Sequence, residues 1–116
     1  RSTLFPYTTL FRSLSFHLRT ADVPYHPEAW ELADMGFLPA GAYRNRDYAE
    51  AGVTVCGAVS RTMQDLLYDP QTSGGLLMAV AEADAPICLR ELRDSIPAAA
   101  IVGYVTEKQD NWLLLE

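Results

Sequence analysis

Asp69-Pro70-Gln71-Thr72-Ser73-Gly74-Gly75-Leu76-Leu77-Met78-Ala79-Val80 joins two kinds of chain. Upstream, Ser60 is placed to cap a helix, and Met63, Leu66 and Leu67 follow at helical spacing until Pro70 stops it. Downstream, the apolar run from Leu76 to Val80 predicts a short, buried strand. Between them Asp69 can hydrogen-bond forward to its own backbone, and Pro70 fixes φ. Gly74 and Gly75 permit positive φ or the close approach of another group. Thr72 and Ser73 add hydroxyls. Such a turn delivers hydroxyls and bare backbone N–H groups, which suits an anion and suits a plain tight turn equally well. Its N–H groups follow a helix instead of opening one, so the case for a phosphate cradle is weaker than for a P-loop.

Beyond this stretch, Glu82-Ala83-Asp84 leads into the clearest helix of the chain. Ala85, Cys88, Leu89, Leu92 and Ile96 recur on one face, with Asp84 as N-cap, Pro86 in the first turn and Pro97 as the stop. Ala99 to Val105 and Trp112 to Leu115 then read as two strands around the polar turn Glu107-Lys108-Gln109-Asp110-Asn111. On the upstream side, Leu14 to Leu18 alternates as a half-buried strand does, with Ser15 and His17 on the polar, solvent-facing phase. Pro24 biases Val23 toward extended structure, Pro27 opens a helix with Glu28 in its first turn, and Gly36 closes it. Residues 37–45 form a loop running into a short helix. There Asn45 braces the turn, reaches a substrate or acts as a cap, the last being preferred. Arg44 and Arg46, beside Asp47 and Glu50, read as a solvated charged face. Residues 52–59 fit a strand, a helix start or a loop. Strand, helix and strand in the last third give an α+β fold, a mixed β-sheet with helices packed on one face.

The 116 residues are enough for one domain or part of one, and 49% hydrophobic with 21% charged residues is the balance of a globular protein. A net charge of −6 argues against a nucleic-acid surface, and no apolar run approaches bilayer-spanning length. Cys56 and Cys88 stand far apart without a CxxC partner, which reads as two buried free thiols in a reducing cytoplasm and no metal site. Residues 1–13 are apolar and basic against an acidic remainder, without the continuous apolar core of a signal peptide. They resemble a translated sequencing-adapter segment of non-native origin, a loosely docked strand being the alternative. Residues 14–116 are then the partial domain.

Leu66-Leu67-Tyr68 followed by the nine residues Asp69 to Leu77 resembles the signature of selenophosphate synthetase (selenide, water dikinase), of the aminoimidazole ribonucleotide synthetase superfamily. Val23-Pro24, Glu28 to Ala33, Gly36, Pro39-Ala40-Gly41 and Asn45 fall in that family's order, and Ile101 to Val105 resembles its closing strand. The resemblance covers roughly residues 21–116 and is densest at the signature. It implies a truncated part of the family's C-terminal α/β domain, which packs against a separate N-terminal, ATP-binding domain in a homodimer. It also implies an enzyme that uses ATP, Mg2+, selenide and water to make selenophosphate, AMP and phosphate. The family's catalytic cysteine loop and magnesium-holding aspartates have no counterpart here, so the resemblance implies no catalytic or metal residue in this chain, no cofactor bound by it alone, and no activity alone. Thr72, Ser73, Gly74 and Gly75 become candidates for phosphate or interdomain contacts that close the cleft. Asp69, Pro70 and Gln71 shape the turn, and Asn45 supports it. A sibling enzyme of purine synthesis or hydrogenase maturation shares the fold but not the signature. A non-catalytic interaction module is told apart by nucleotide independence, and a stand-alone nucleotide-binding domain lacks both a P-loop and a dinucleotide fingerprint.

Overall fold

The alternating run Leu14–Leu18 forms β1, the centre of a four-stranded sheet, in a computed structural model that describes residues 14–116. The reading of residues 1–13 as a non-native segment lies outside the described residues. After β1 come α1 (Pro27–Asp34), α2 (Ala40–Ala49), β2 (Val53–Val55), α3 (Arg61–Leu67), α4 (Ala85–Arg93), β3 (Gly103–Glu107) and β4 (Leu113–Leu115), with 3-10 turns at Thr20–Asp22 and Glu50–Gly52. The strand order is β2-β4-β1-β3. β1 runs antiparallel to β3, with Phe16 opposite Val105, while β4 lies parallel to both β1 and β2. The α+β class and the mixed sheet are therefore as read from the sequence.

The helix ends follow local chemistry. Pro27 sits in the first turn of α1, where a missing N–H costs nothing, and Glu28 complements the helix dipole. Gly36 closes α1 at φ +83°, donating to Ala33 O at 2.9 Å while Phe37 N donates to Leu32 O at 2.9 Å, the paired bonds of a Schellman end. The Ser60 hydroxyl accepts from Met63 N at 3.2 Å and caps α3. Asp84 precedes α4 but in helical backbone geometry, and its side chain makes no capping bond.

Three expectations are corrected. Residues 76–80 are not a strand: Leu76 is 91% and Leu77 75% exposed, and among the described residues no backbone N–H or C=O between Thr72 and Val80 takes part in a backbone hydrogen bond. A strand exists only against a neighbour, and β4 occupies the place beside β1. The two strands read around the polar turn are present as β3 and β4, and β1 lies between them in the sheet. The Ser15 and His17 phase of β1 is buried, not solvent-facing. The loop after β3 folds over it and supplies partners: Ser15 Oγ donates to Asn111 O at 2.6 Å and accepts from Gln109 N at 2.8 Å. His17 Nδ1 lies 2.5 Å from Glu116 Oε1, with its ring stacked on Tyr104 at 4.5 Å. Finally, Arg46 is buried against Asp65 instead of standing in solvent.

α4 shows the predicted apolar face with Cys88, Leu89 and Leu92 half-buried, yet no residue of it is fully buried and Ile96 beyond it is exposed. Cys88 and Cys56 are free thiols, both half-buried. The fully buried apolar side chains among the described residues are Ala33, Ala42, Met63 and Leu115. A radius of gyration of 15.1 Å, against about 13 Å for a compact domain of this size, agrees with so small a core. α1 packs on α3, and Thr62 Oγ1 ties the two by donating to Asp34 Oδ1 at 2.9 Å.

Candidate functional site

The end of α3 delivers the signature turn. Asp69 N donates to Leu66 O at 3.2 Å, Pro70 offers no N–H to continue the helix, and Gln71 N turns back to Asp69 O at 3.0 Å. The chain then passes through Thr72, Ser73, Gly74 and Gly75 along a groove of about 1300 Å³. The same groove is lined by the Val23-Pro24-Tyr25-His26 segment and by Ala29 and Leu32 of α1.

Every residue from Asp69 to Gly75 is exposed. Neither glycine uses positive φ, so the freedom read from the sequence is that of close approach. A Cβ on Gly74 would lie 2.8 Å from Gln71 Oε1, since the Gln71 side chain folds over it, whereas a Cβ on Gly75 would meet nothing within 4 Å. Among the described residues the Thr72 and Ser73 hydroxyls and the Gly74 and Gly75 N–H groups have no hydrogen-bond partner. The turn therefore brings unused donors to residues that line the groove, and such donors can bind an anionic oxygen or the carbonyls of another chain segment.

Asn45 lies inside α2, so it caps no helix of its own. Its Nδ2 donates to Tyr68 O at 2.9 Å and satisfies a terminal carbonyl of α3 directly before Asp69. The next residue of α2, Arg46, pairs with Asp65, and its guanidinium stands 5.2 Å from the centre of the Tyr68 ring. Burial pushes the Tyr68 hydroxyl above its ordinary range, the Arg46 charge opposing this and Glu50 adding to it. Arg61 reaches the same Asp65 carboxylate at 3.3 Å from its exposed position on α3. Sequence reading missed this pair. The available signal was that Ala42 and Arg46 lie four residues apart and share a helix face.

Among the described residues no group of three or more His, Cys, Asp or Glu is placed to hold a metal ion, and no helix is long and apolar enough to cross a membrane.

No protein-family model matches the chain. Among curated proteins it is 50% identical over 97 residues to the selenide, water dikinase of Pelobacter propionicus, an alignment that takes in 83% of this chain and 28% of that protein. It is 40% identical over 107 residues to selenide, water dikinase 2 of Peptoclostridium acidaminophilum, covering 88% of this chain and 29% of that one. With the enzyme of Campylobacter jejuni it shares 34% over 106 residues, 91% of this chain and 30% of the relative. The chain thus spans less than a third of the length of these curated relatives.

Proposed function

We propose that this chain, whose sequence is kin over most of its length to one segment of the selenide, water dikinases, works as the C-terminal segment of such an enzyme. The observation that carries the reading is 50% identity over 97 residues, joined to a signature turn in which the Thr72 and Ser73 hydroxyls and the Gly74 and Gly75 N–H groups are unspent among the described residues. The parent enzyme phosphorylates selenide at the expense of ATP, giving selenophosphate, AMP and phosphate, in the cytoplasm and as a homodimer.

In that enzyme the segment closes the cleft. Thr72 and Ser73 donate through their hydroxyls, and Gly74 and Gly75 through their N–H groups, to phosphate oxygens of the nucleotide held by the N-terminal domain. Gly75 has open space where a side chain would stand, which leaves room for an acceptor to come close to the backbone. Asp69, Pro70 and Gln71 hold the turn in shape, and Asn45 supports it from α2. Magnesium does not fit the residues described here, which include no cluster of suitable ligands. Its carboxylates belong to the rest of the enzyme, and the segment alone is inactive.

The test is selenide-dependent conversion of ATP to AMP by the full-length protein that carries these residues. Activity that requires selenide supports the reading. ATP turnover indifferent to selenide, or none with the full protein folded, overturns it.

A further inference from the structure

We infer that one face of α2 is a two-point clamp that sets the direction of the signature turn, with Gly41 and Asn45 as positioning residues. The two lie four residues apart and so share a helix face. Asn45 Nδ2 donates to Tyr68 O at 2.9 Å, holding the last turn of α3. Gly41 packs on Pro70 so closely that a Cβ there would lie 2.7 Å from Pro70 Cγ and 3.0 Å from Pro70 Cβ. The two contacts bracket Asp69, the residue at which the chain leaves the helix.

Neither contact is needed to form α2 itself. Gly41 has ordinary backbone geometry, where alanine is the better helix former, and Asn45 is an indifferent one. What both residues do is shape the approach to the chain that precedes Thr72. Downstream, no backbone group from Thr72 to Val80 is hydrogen-bonded to the backbone of the described residues, so the backbone hold on the turn lies upstream of Thr72. A small rotation at Tyr68–Pro70 therefore redirects the chain that carries the Thr72, Ser73, Gly74 and Gly75 donors. The buried Arg46–Asp65 pair fixes α2 to α3 and makes the clamp rigid.

The clamp stands on geometry alone, and only its effect on catalysis rests on the proposed function. The two are tested separately. In the first arm, amide NMR spectra of this 116-residue chain are compared for wild type, Gly41→Ala, Pro70→Ala and the double variant Gly41→Ala/Pro70→Ala. Gly41→Ala is expected to shift the Gly74 and Gly75 amide resonances, and removal of Pro70 Cγ in the double variant is expected to return them toward those of Pro70→Ala alone. Gly74 and Gly75 resonances unmoved by Gly41→Ala, or shifts that simply add in the double variant, overturn the clamp. If Gly41→Ala unfolds the chain, recovery of the folded spectrum in the double variant supports it and continued unfolding overturns it. In the second arm, the full-length enzyme is assayed with Asn45→Ala and Asn45→Asp. A turn misplaced by about 1 Å costs on the order of 10²-fold in rate, so kcat is expected to fall by that order with KM for ATP little changed. A rise in KM alone, or unchanged kcat with altered stability, overturns the positioning role while leaving the family reading intact.

Discussion

Replacing Asp65 by Asn is the sharpest perturbation of this fold, because it strands a buried charge. The Arg46 and Asp65 side chains are 11% and 10% exposed, so the 0–1 kcal/mol typical of surface pairs, roughly, does not apply. Arg46 Nε is already buried without a partner, and the guanidinium has only the Tyr68 ring, 5.2 Å away, to fall back on. A cation–π contact of that kind offsets about 1 kcal/mol. Removing one member of a buried pair costs about 3–5 kcal/mol, which leaves a net loss of about 3 kcal/mol. Loss of the Arg61 contact adds little, Arg61 being 67% exposed. A domain of this size holds about 5–15 kcal/mol in total, and the small core places this one toward the lower end. Urea unfolding followed by the fluorescence of Trp30 and Trp112 should therefore lose about half the wild-type stability. Replacing both partners, Arg46→Met with Asp65→Leu, should recover most of the loss, since no uncompensated charge remains. A loss below about 1 kcal/mol for Asp65→Asn would refute the reasoning and return Arg46 to the solvated face that the sequence indicated.

Other outcomes follow from the same structure. Ser60→Ala removes the side-chain cap on Met63 N at the start of α3 and should cost about 1 kcal/mol in the same unfolding assay, with no cost if the cap is idle. Gly36→Ala meets no steric neighbour, so its cost is the left-handed backbone alone, about 1 kcal/mol or slightly more. Leu76→Ser, at a position 91% exposed, should change stability by less than about 0.5 kcal/mol, whereas a packed strand there would lose several times as much. The hydrogen bond from His17 holds the Glu116 carboxyl below its ordinary range, burial opposing and the Tyr104 hydroxyl assisting. A group whose folded pKa is depressed adds stability above its unfolded pKa and loses it as pH falls through the folded one. Glu116→Gln should thus flatten the acid limb of a stability–pH profile below about pH 4.5 and leave the neutral region parallel to wild type, and an unchanged acid limb would contradict this.

Local signals in the sequence translated well. Pro27, Gly36 and Ser60 bound their helices for the reasons that their side chains and backbones supply, and the alternation of Leu14–Leu18 made the strand it promised. What the sequence could not convey was which polar groups find partners through distant chain. Ser15 and His17 read as solvent-facing because their partners, Gln109, Asn111 and Glu116, stand more than ninety positions away. Arg46 misread for the same reason, its carboxylate lying nineteen residues on. The run Leu76 to Val80 has the composition of a strand but no neighbour to pair with, so its apolar side chains remain exposed. Of the candidate site, the turn itself was legible, since Asp69, Pro70 and the two glycines are local chemistry. The groove opposite it and the hold that Gly41 and Asn45 have on its approach were not, because they depend on how α2 lies against α3.

The most direct test of the central claim is the pair of substitutions Thr72→Ala and Ser73→Ala in the full-length enzyme, with AMP formation measured as a function of selenide. The account predicts that both variants stay folded, by circular dichroism and unfolding midpoint, while selenide-dependent turnover falls at least tenfold. Full activity in both would contradict a place for this turn in the catalytic cleft and leave it as scaffold.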